Sequence, residues 1–251
     1  MNDRPGFTAV FELGADRWVG AAFARVLASM AARAGLDVGR IGDAAVIGDA
    51  VADRDDHPIS LRASVHGDPG VVSLRVAPVD GWMAERLVDS SRFPTTGALL
   101  AQLADRVARE PLDDGREAVT IDLRADGTPP AVPEPVAVPD PPVRERAGFS
   151  VCLPAAADSV PLVRQALAGV AEALEITDEK LDDIRLAVSE ACTNVIMHAY
   201  PGAEDVRRTL TVDVTWATPL LAVEVRDSGV GLGATAATDG PGMGLGMGLM
   251  T

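Results

Sequence analysis

Leu181-Asp-Asp-Ile-Arg-Leu-Ala-Val-Ser-Glu-Ala-Cys-Thr-Asn-Val-Ile-Met-His-Ala199 is the stretch around which the rest of the chain is organised. Its apolar residues Ile184, Val188, Ala191 and Val195 recur at steps of four, three and four, which is one stripe of an α-helix. Glu190, Asn194 and His198 recur at steps of four and form a polar strip along the edge of that stripe. A helix glutamate is ordinarily solvated. A carboxylate and a carboxamide one turn apart, beside a buried face, nevertheless suit the wall of a site. His198 reads as a structural residue at the helix end, close to Tyr200-Pro201-Gly202.

Downstream, Leu221-Ala-Val-Glu-Val225 alternates like a strand and runs into Arg226-Asp-Ser-Gly-Val-Gly-Leu232. An aspartate before glycine is common in plain turns. A second glycine run follows, Gly240-Pro-Gly-Met-Gly-Leu-Gly-Met-Gly-Leu-Met-Thr251. Its alternation with Met243, Leu245, Met247 and Leu249 speaks against a flexible linker, which would use serine. The order Glu-x-x-x-Asn on a helix, Asp-x-Gly-x-Gly after a strand, then Gly-x-Gly-x-Gly resembles the gyrase, chaperone and histidine-kinase ATP-binding superfamily (GHKL, or Bergerat fold). Within it, Ala187-Val-Ser-Glu-Ala-Cys-Thr-Asn-Val-Ile-Met-His-Ala-Tyr200 looks most like the anti-sigma-factor serine/threonine kinases of bacteria.

That resemblance implies an α/β chain built as a Bergerat-type α+β two-layer sandwich, using ATP and Mg²⁺. It implies Glu190 as the general base that takes a serine or water proton. Asn194 is implied as the Mg²⁺ ligand, an amide oxygen being suited to a hard, partly hydrated ion. Asp227 would accept a hydrogen bond from the adenine amine, with Gly229 and Gly231 admitting the base close to the backbone. Phosphates would lie on the amides of Gly244, Gly246 and Gly248, under a lid formed by residues 233–240. The implied partners are a small STAS-like anti-sigma antagonist as phosphoacceptor and a sigma factor. Three other readings stay open: an ATP-dependent switch without phosphotransfer, a histidine-kinase-like module, and an inactive remnant. No helix bearing a phosphoacceptor histidine precedes the site, which counts against the second.

Composition narrows the class. At 251 residues the chain is long enough for two ordinary domains. No apolar run reaches the roughly 18 residues of a membrane span. Met1-Asn-Asp-Arg-Pro-Gly6 lacks the basic start and apolar core of a signal peptide. Cys152 and Cys192 read as reduced core thiols, so a cytoplasmic protein is expected. A net charge of −15 argues against nucleic acid as a partner. Lys180 is the one lysine, and neither glycine run contains any. Bound phosphates would therefore meet Mg²⁺, backbone N–H groups and a helix N-terminus.

The layout repeats. Phe7–Leu13 reads as a strand, Asp16 as the cap of a helix ending near Gly35, and residues 41–51 as a second helix. Strands at 59–65 and 71–76 flank a turn at His66-Gly-Asp-Pro-Gly70. A loop, a helix over 95–107 and a final strand at 118–123 follow. In the other half, Phe149–Leu153 is a strand, and Asp158 with Ser159 caps a helix with Pro161 in its first turn. Phe7 and Phe149 are 142 positions apart, as are Asp16 and Asp158. Kept through the second helix, this offset sets Gly48 against Glu190 and Ala52 against Asn194. Aligning the later strands sets Pro78 against Asp227. The first copy thus reads as a degenerate domain with its core kept and its site lost; an unrelated α/β domain of like layout is the alternative.

Between the copies, Gly127–Pro142 holds seven prolines in sixteen residues, a composition that favours an extended polyproline II linker. The expected division is a degenerate domain at 1–126, a linker at 127–148 and the ATP-binding domain at 149–251, the last truncated at its C-terminus relative to the family. Pairing of such domains is expected, within one chain or between two.

Overall fold

The computed structural model describes residues 6–53, 60–125, 148–201 and 208–229. In chain order the elements are strand β1 (Phe7–Leu13), helices α1 (Trp18–Arg33) and α2 (Val38–Ala52), strands β2 (Leu61–Asp68) and β3 (Val71–Val79), helices α3 (Gly81–Val88) and α4 (Thr96–Leu103), and strands β4 (Arg106–Pro111) and β5 (Glu117–Arg124). The second half supplies β6 (Phe149–Pro154), α5 (Val160–Ala173), α6 (Asp178–His198), β7 (Thr209–Ala217) and β8 (Leu220–Asp227). The expected two-layer α/β architecture is what forms, with all strand pairings antiparallel.

The strands form one sheet in the order β4-β5-β3-β2-β1-β6-β7-β8. Successive side chains alternate across a strand. Phe11, Val65, Leu74, Ile121, Val151 and Val212 therefore point into a single core beneath the helices. The open face carries polar residues, including a buried Asp122 whose Oδ1 accepts from Ser73 Oγ at 2.6 Å.

The halves meet at β1 and β6, where Val10 is paired with Cys152, Phe11 with Val151 and Leu13 with Phe149. Cys152 lies 142 positions after Val10. The same position of the repeat therefore faces itself, and a pseudo-twofold axis passes through this pair. Beneath it α1 and α5 cross in close contact. A Cβ on Gly169 would stand 2.4 Å from the Ala21 carbonyl oxygen and 2.6 Å from Ala22 Cα, so glycine is what lets the helices approach. Phe11 packs against Phe23 of its own half and Phe149 of the other, at centroid distances of 5.0 and 6.0 Å. Arg25–Glu172 (2.5 Å) and Arg33–Asp158 add ion pairs across the join. Exposed pairs like these contribute about 0.2–1 kcal/mol, less than burying one phenylalanine, about 1.5–3 kcal/mol. The apolar seam and the β1–β6 ladder hold the halves together.

Several local expectations are corrected. The helix expected over 95–107 stops at Leu103, because Arg106–Pro111 leaves to pair with β5 as an edge strand. This strand offers almost no apolar alternation, its residues being half-buried or exposed. The loop before Thr95 contains α3, capped by Asp80, whose Oδ1 accepts from Met83 N at 2.8 Å. The turn expected at 66–70 narrows to Pro69-Gly70, since β2 continues to Asp68. Asp16 caps nothing with its side chain; its carbonyl accepts from Val19 N at 3.0 Å. Asp158 is engaged by Arg33, and Ser159 Oγ donates to Pro154 O at 2.6 Å. The linker from Gly127 and the segment after Gly229 lie outside the described residues.

Candidate functional site

Helix α6 starts with Asp178 and Glu179 in its first turn, where carboxylates oppose the positive end of the helix dipole. Leu181, Val188, Cys192 and Val195 are its buried residues, and Ile184 and Ala191 are half-buried beside them. Cys192 is fully buried, and burial pushes its thiol up to about 11, so it stays protonated and inert. Glu190, Asn194 and His198 are all exposed. Glu190 lies well round from the buried stripe, and the apolar residues Leu186 (70 % exposed) and Met197 (68 %) share its open side.

Strand β8 delivers Asp227. Position 227 alternates with Val223 and Val225, which pack against the core, so its side chain is raised on the helix side of the sheet. Arg226 points the other way and pairs with Asp213 on the open face. Asp227 is exposed, its Oδ1 accepts from Gly229 N at 2.8 Å, and its Oδ2 has no protein partner among the described residues. This turn sits on the C-terminal end of α6. A Cβ on Gly229 would lie 2.0 Å from the Ala199 carbonyl oxygen, which requires glycine there. The fold thus brings the Asp227 turn to the end of the helix that carries Glu190 and Asn194. Gly231, Gly244, Gly246 and Gly248 lie outside the described residues.

Sequence reading passed over Tyr200 and Ser228. The Tyr200 hydroxyl bonds Thr209 and Ser228, which lie 9 and 28 positions away. No local pattern announces such partners.

The same place in the first half is closed. Row by row across the sheet, Leu153, Leu210 and Asp227 stand as Phe11, Ala63 and Val76 do. The second hairpin is two residues longer on each strand than the first, which moves the counterpart of Asp227 from the expected Pro78 to the buried Val76. Both are apolar, so the loss of the carboxylate stands. Gly48 lies tight on α1, where a Cβ would be 2.9 Å from Ala24 Cα. Arg86 of α3, itself buried, donates to the carbonyls of Ala50 and Asp53 at the end of α2. It satisfies carbonyls that a helix end leaves open, and places its charge where the dipole favours it.

Among the described residues no group of three His, Cys, Asp or Glu gathers as a metal cage, and no helix is long and apolar enough to cross a membrane.

Similarity to known proteins lies in the second half of the chain. The histidine kinase-like ATPase domain family matches residues 153–251. The serine-protein kinase RsbW of Bacillus mycoides (strain KBAB4) is 37% identical over 78 residues, 31% of this chain and 47% of the relative. RsbW of Bacillus cereus (strain ATCC 10987 / NRS 248) matches to the same extent. RsbW of Bacillus pumilus (strain SAFR-032) is 42% identical over 52 residues, 21% of this chain and 32% of the relative. The chain spans about half the length of these relatives or less. Residues 153–251 thus match the histidine kinase-like ATPase domain family, and part of that stretch is similar to the serine-protein kinases RsbW.

Proposed function

We propose that the second half binds ATP with Mg²⁺ and transfers its γ-phosphoryl group to a serine or threonine of a small STAS-like antagonist protein, a sigma factor being the other partner. The observation that carries the reading is Asp227, a carboxylate with one oxygen unengaged among the described residues, set on the helix side of the sheet at the end of α6. Its Oδ2 accepts from the adenine amine, and the Gly229 turn lets the base come close to the backbone. Asn194 would hold the ion through its amide oxygen. Glu190, exposed on α6, accepts the hydroxyl proton of the incoming serine. When bound, the ion neutralises charge developing on the phosphates. Gly231, Gly244, Gly246 and Gly248 complete the base and phosphate contacts in this reading.

The division of labour follows from the closed first half. Val76, Gly48 and Ala52 provide neither carboxylate nor carboxamide, so residues 1–126 act as scaffold. Calorimetry on the full chain is expected to give one ATP per chain, dependent on Mg²⁺. Two equivalents would contradict the scaffold role. Asp227→Asn is expected to weaken ATP binding by about 1.5–3 kcal/mol, the worth of a hydrogen bond to a charged group, and to erode adenine preference. Unchanged affinity and preference would remove Asp227 from the site. Labelled ATP and candidate STAS-like proteins then test the transfer itself.

A further inference from the structure

Tyr200, the one tyrosine of the chain, follows α6 directly and is 6% exposed. Its hydroxyl accepts from Thr209 N and from Ser228 N, both at 3.1 Å, and donates to Thr209 O. Ser228 Oγ lies 3.2 Å away. A phenolic hydroxyl has one proton to give and two lone pairs to receive. All three are used, on two backbone N–H groups and one carbonyl. One oxygen atom thereby joins the end of α6, the start of β7 and the turn after β8.

We propose that Tyr200 is a positioning residue for the nucleotide site. It holds the Asp227–Gly229 turn in place against α6, and so sets where the adenine-reading carboxylate stands relative to Asn194 and Glu190. This deepens, and rests on, the ATP-binding reading above. The turn's own bond, Gly229 N to Asp227 Oδ1, shapes it internally without tying it to the helix. The sheet ladder ends at the Leu210–Asp227 pair. Beyond that pair, the ties to the rest of the fold among the described residues are the Tyr200 hydroxyl, a 3.4 Å contact between Ser228 Oγ and Thr209 Oγ1, and the close seat of Gly229 on Ala199. The buried ring alone would fill space equally well as phenylalanine, so the hydroxyl can be tested apart from it.

Tyr200→Phe in the full chain separates the two roles. In the absence of nucleotide, amide exchange at Thr209 and Ser228 is expected to accelerate about tenfold relative to ladder amides such as Val212, the worth of one net hydrogen bond. ATP affinity is expected to fall about tenfold with GTP affinity unchanged, so that adenine preference falls by the same factor. Ser228→Ala, which keeps the Ser228 N–H, should stay within about twofold of the parent. If Tyr200→Phe fails to fold, Gly229→Ala pushes the turn off Ala199 with Tyr200 intact, and should reproduce the loss of preference. Unchanged exchange at Thr209 and Ser228, or an unchanged ATP-to-GTP ratio in a destabilised Tyr200→Phe chain, would overturn the proposal. If the parent chain binds neither nucleotide, the ATP-binding reading fails, and the exchange measurement decides the anchoring by itself.

Discussion

Glu190→Gln is expected to leave ATP binding within about twofold while slowing phosphoryl transfer by roughly 10²–10⁴-fold, the usual contribution of a positioned general base. Glu190 is exposed on α6, and the helix is held by Leu181, Val188, Cys192 and Val195 on its other side. Replacing an exposed carboxylate by its amide opens no cavity and strands no buried charge. Stability should stay within about 0.5 kcal/mol, so a slower reaction cannot be ascribed to unfolding. Nucleotide affinity by calorimetry and single-turnover transfer to a STAS-like acceptor are the two readouts. Equal loss of both would make Glu190 a structural or binding residue. Transfer at the parental rate would remove the general base. Absence of transfer in the parent, with ATP-dependent partner release intact in both proteins, would turn the chain into a nucleotide switch.

Gly169→Val should destabilise the whole chain by about 3 kcal/mol, the upper end of the usual overpacking cost. The obstructing atoms are the Ala21 carbonyl oxygen and Ala22 Cα, backbone that no rotamer change can move aside. Relief requires α5 to part from α1, which opens the seam around Phe11, Phe23 and Phe149. Gly42→Ala on α2 makes the matched control. Nothing lies within 4 Å of its added Cβ, and the change should stabilise by about 0.8–1 kcal/mol. Urea unfolding, followed by far-ultraviolet circular dichroism, reads both. Because one core runs through both halves, Gly169→Val should shift a single transition. Two transitions, only one of them moved, would mean that the halves fold as separate units.

Much of the site can be read without coordinates. The helical period of Ile184, Val188, Ala191 and Val195, and the alternation of Leu221–Val225, are local patterns set by 3.6- and two-residue repeats. They place Glu190, Asn194 and Asp227 on their elements, and a helix and a strand form there. The 142-position repeat likewise predicts that Phe7 and Phe149 begin equivalent strands, and they do. Edge strand β4 stayed illegible because Arg106–Pro111 lacks an apolar face, and α3 because eight residues hold too few turns to establish a period.

Which edges meet is another matter. Neither β1 nor β6 carries a local mark that says they adjoin, or that Val10 lies opposite Cys152. That register follows from shape: Gly169 admits Ala21 and Ala22, Phe11 fits between Phe23 and Phe149, and the two strands then fall into line above the helices. The replacement of Pro78 by Val76 as the counterpart of Asp227, and the bonds from Tyr200 to Thr209 and Ser228, belong to the same category. Periodicity is a property of neighbouring residues and survives in the one-dimensional text. Contacts between segments far apart in the chain depend on the combined volumes and unpaired backbone groups of several elements at once, so only the assembled fold selects them.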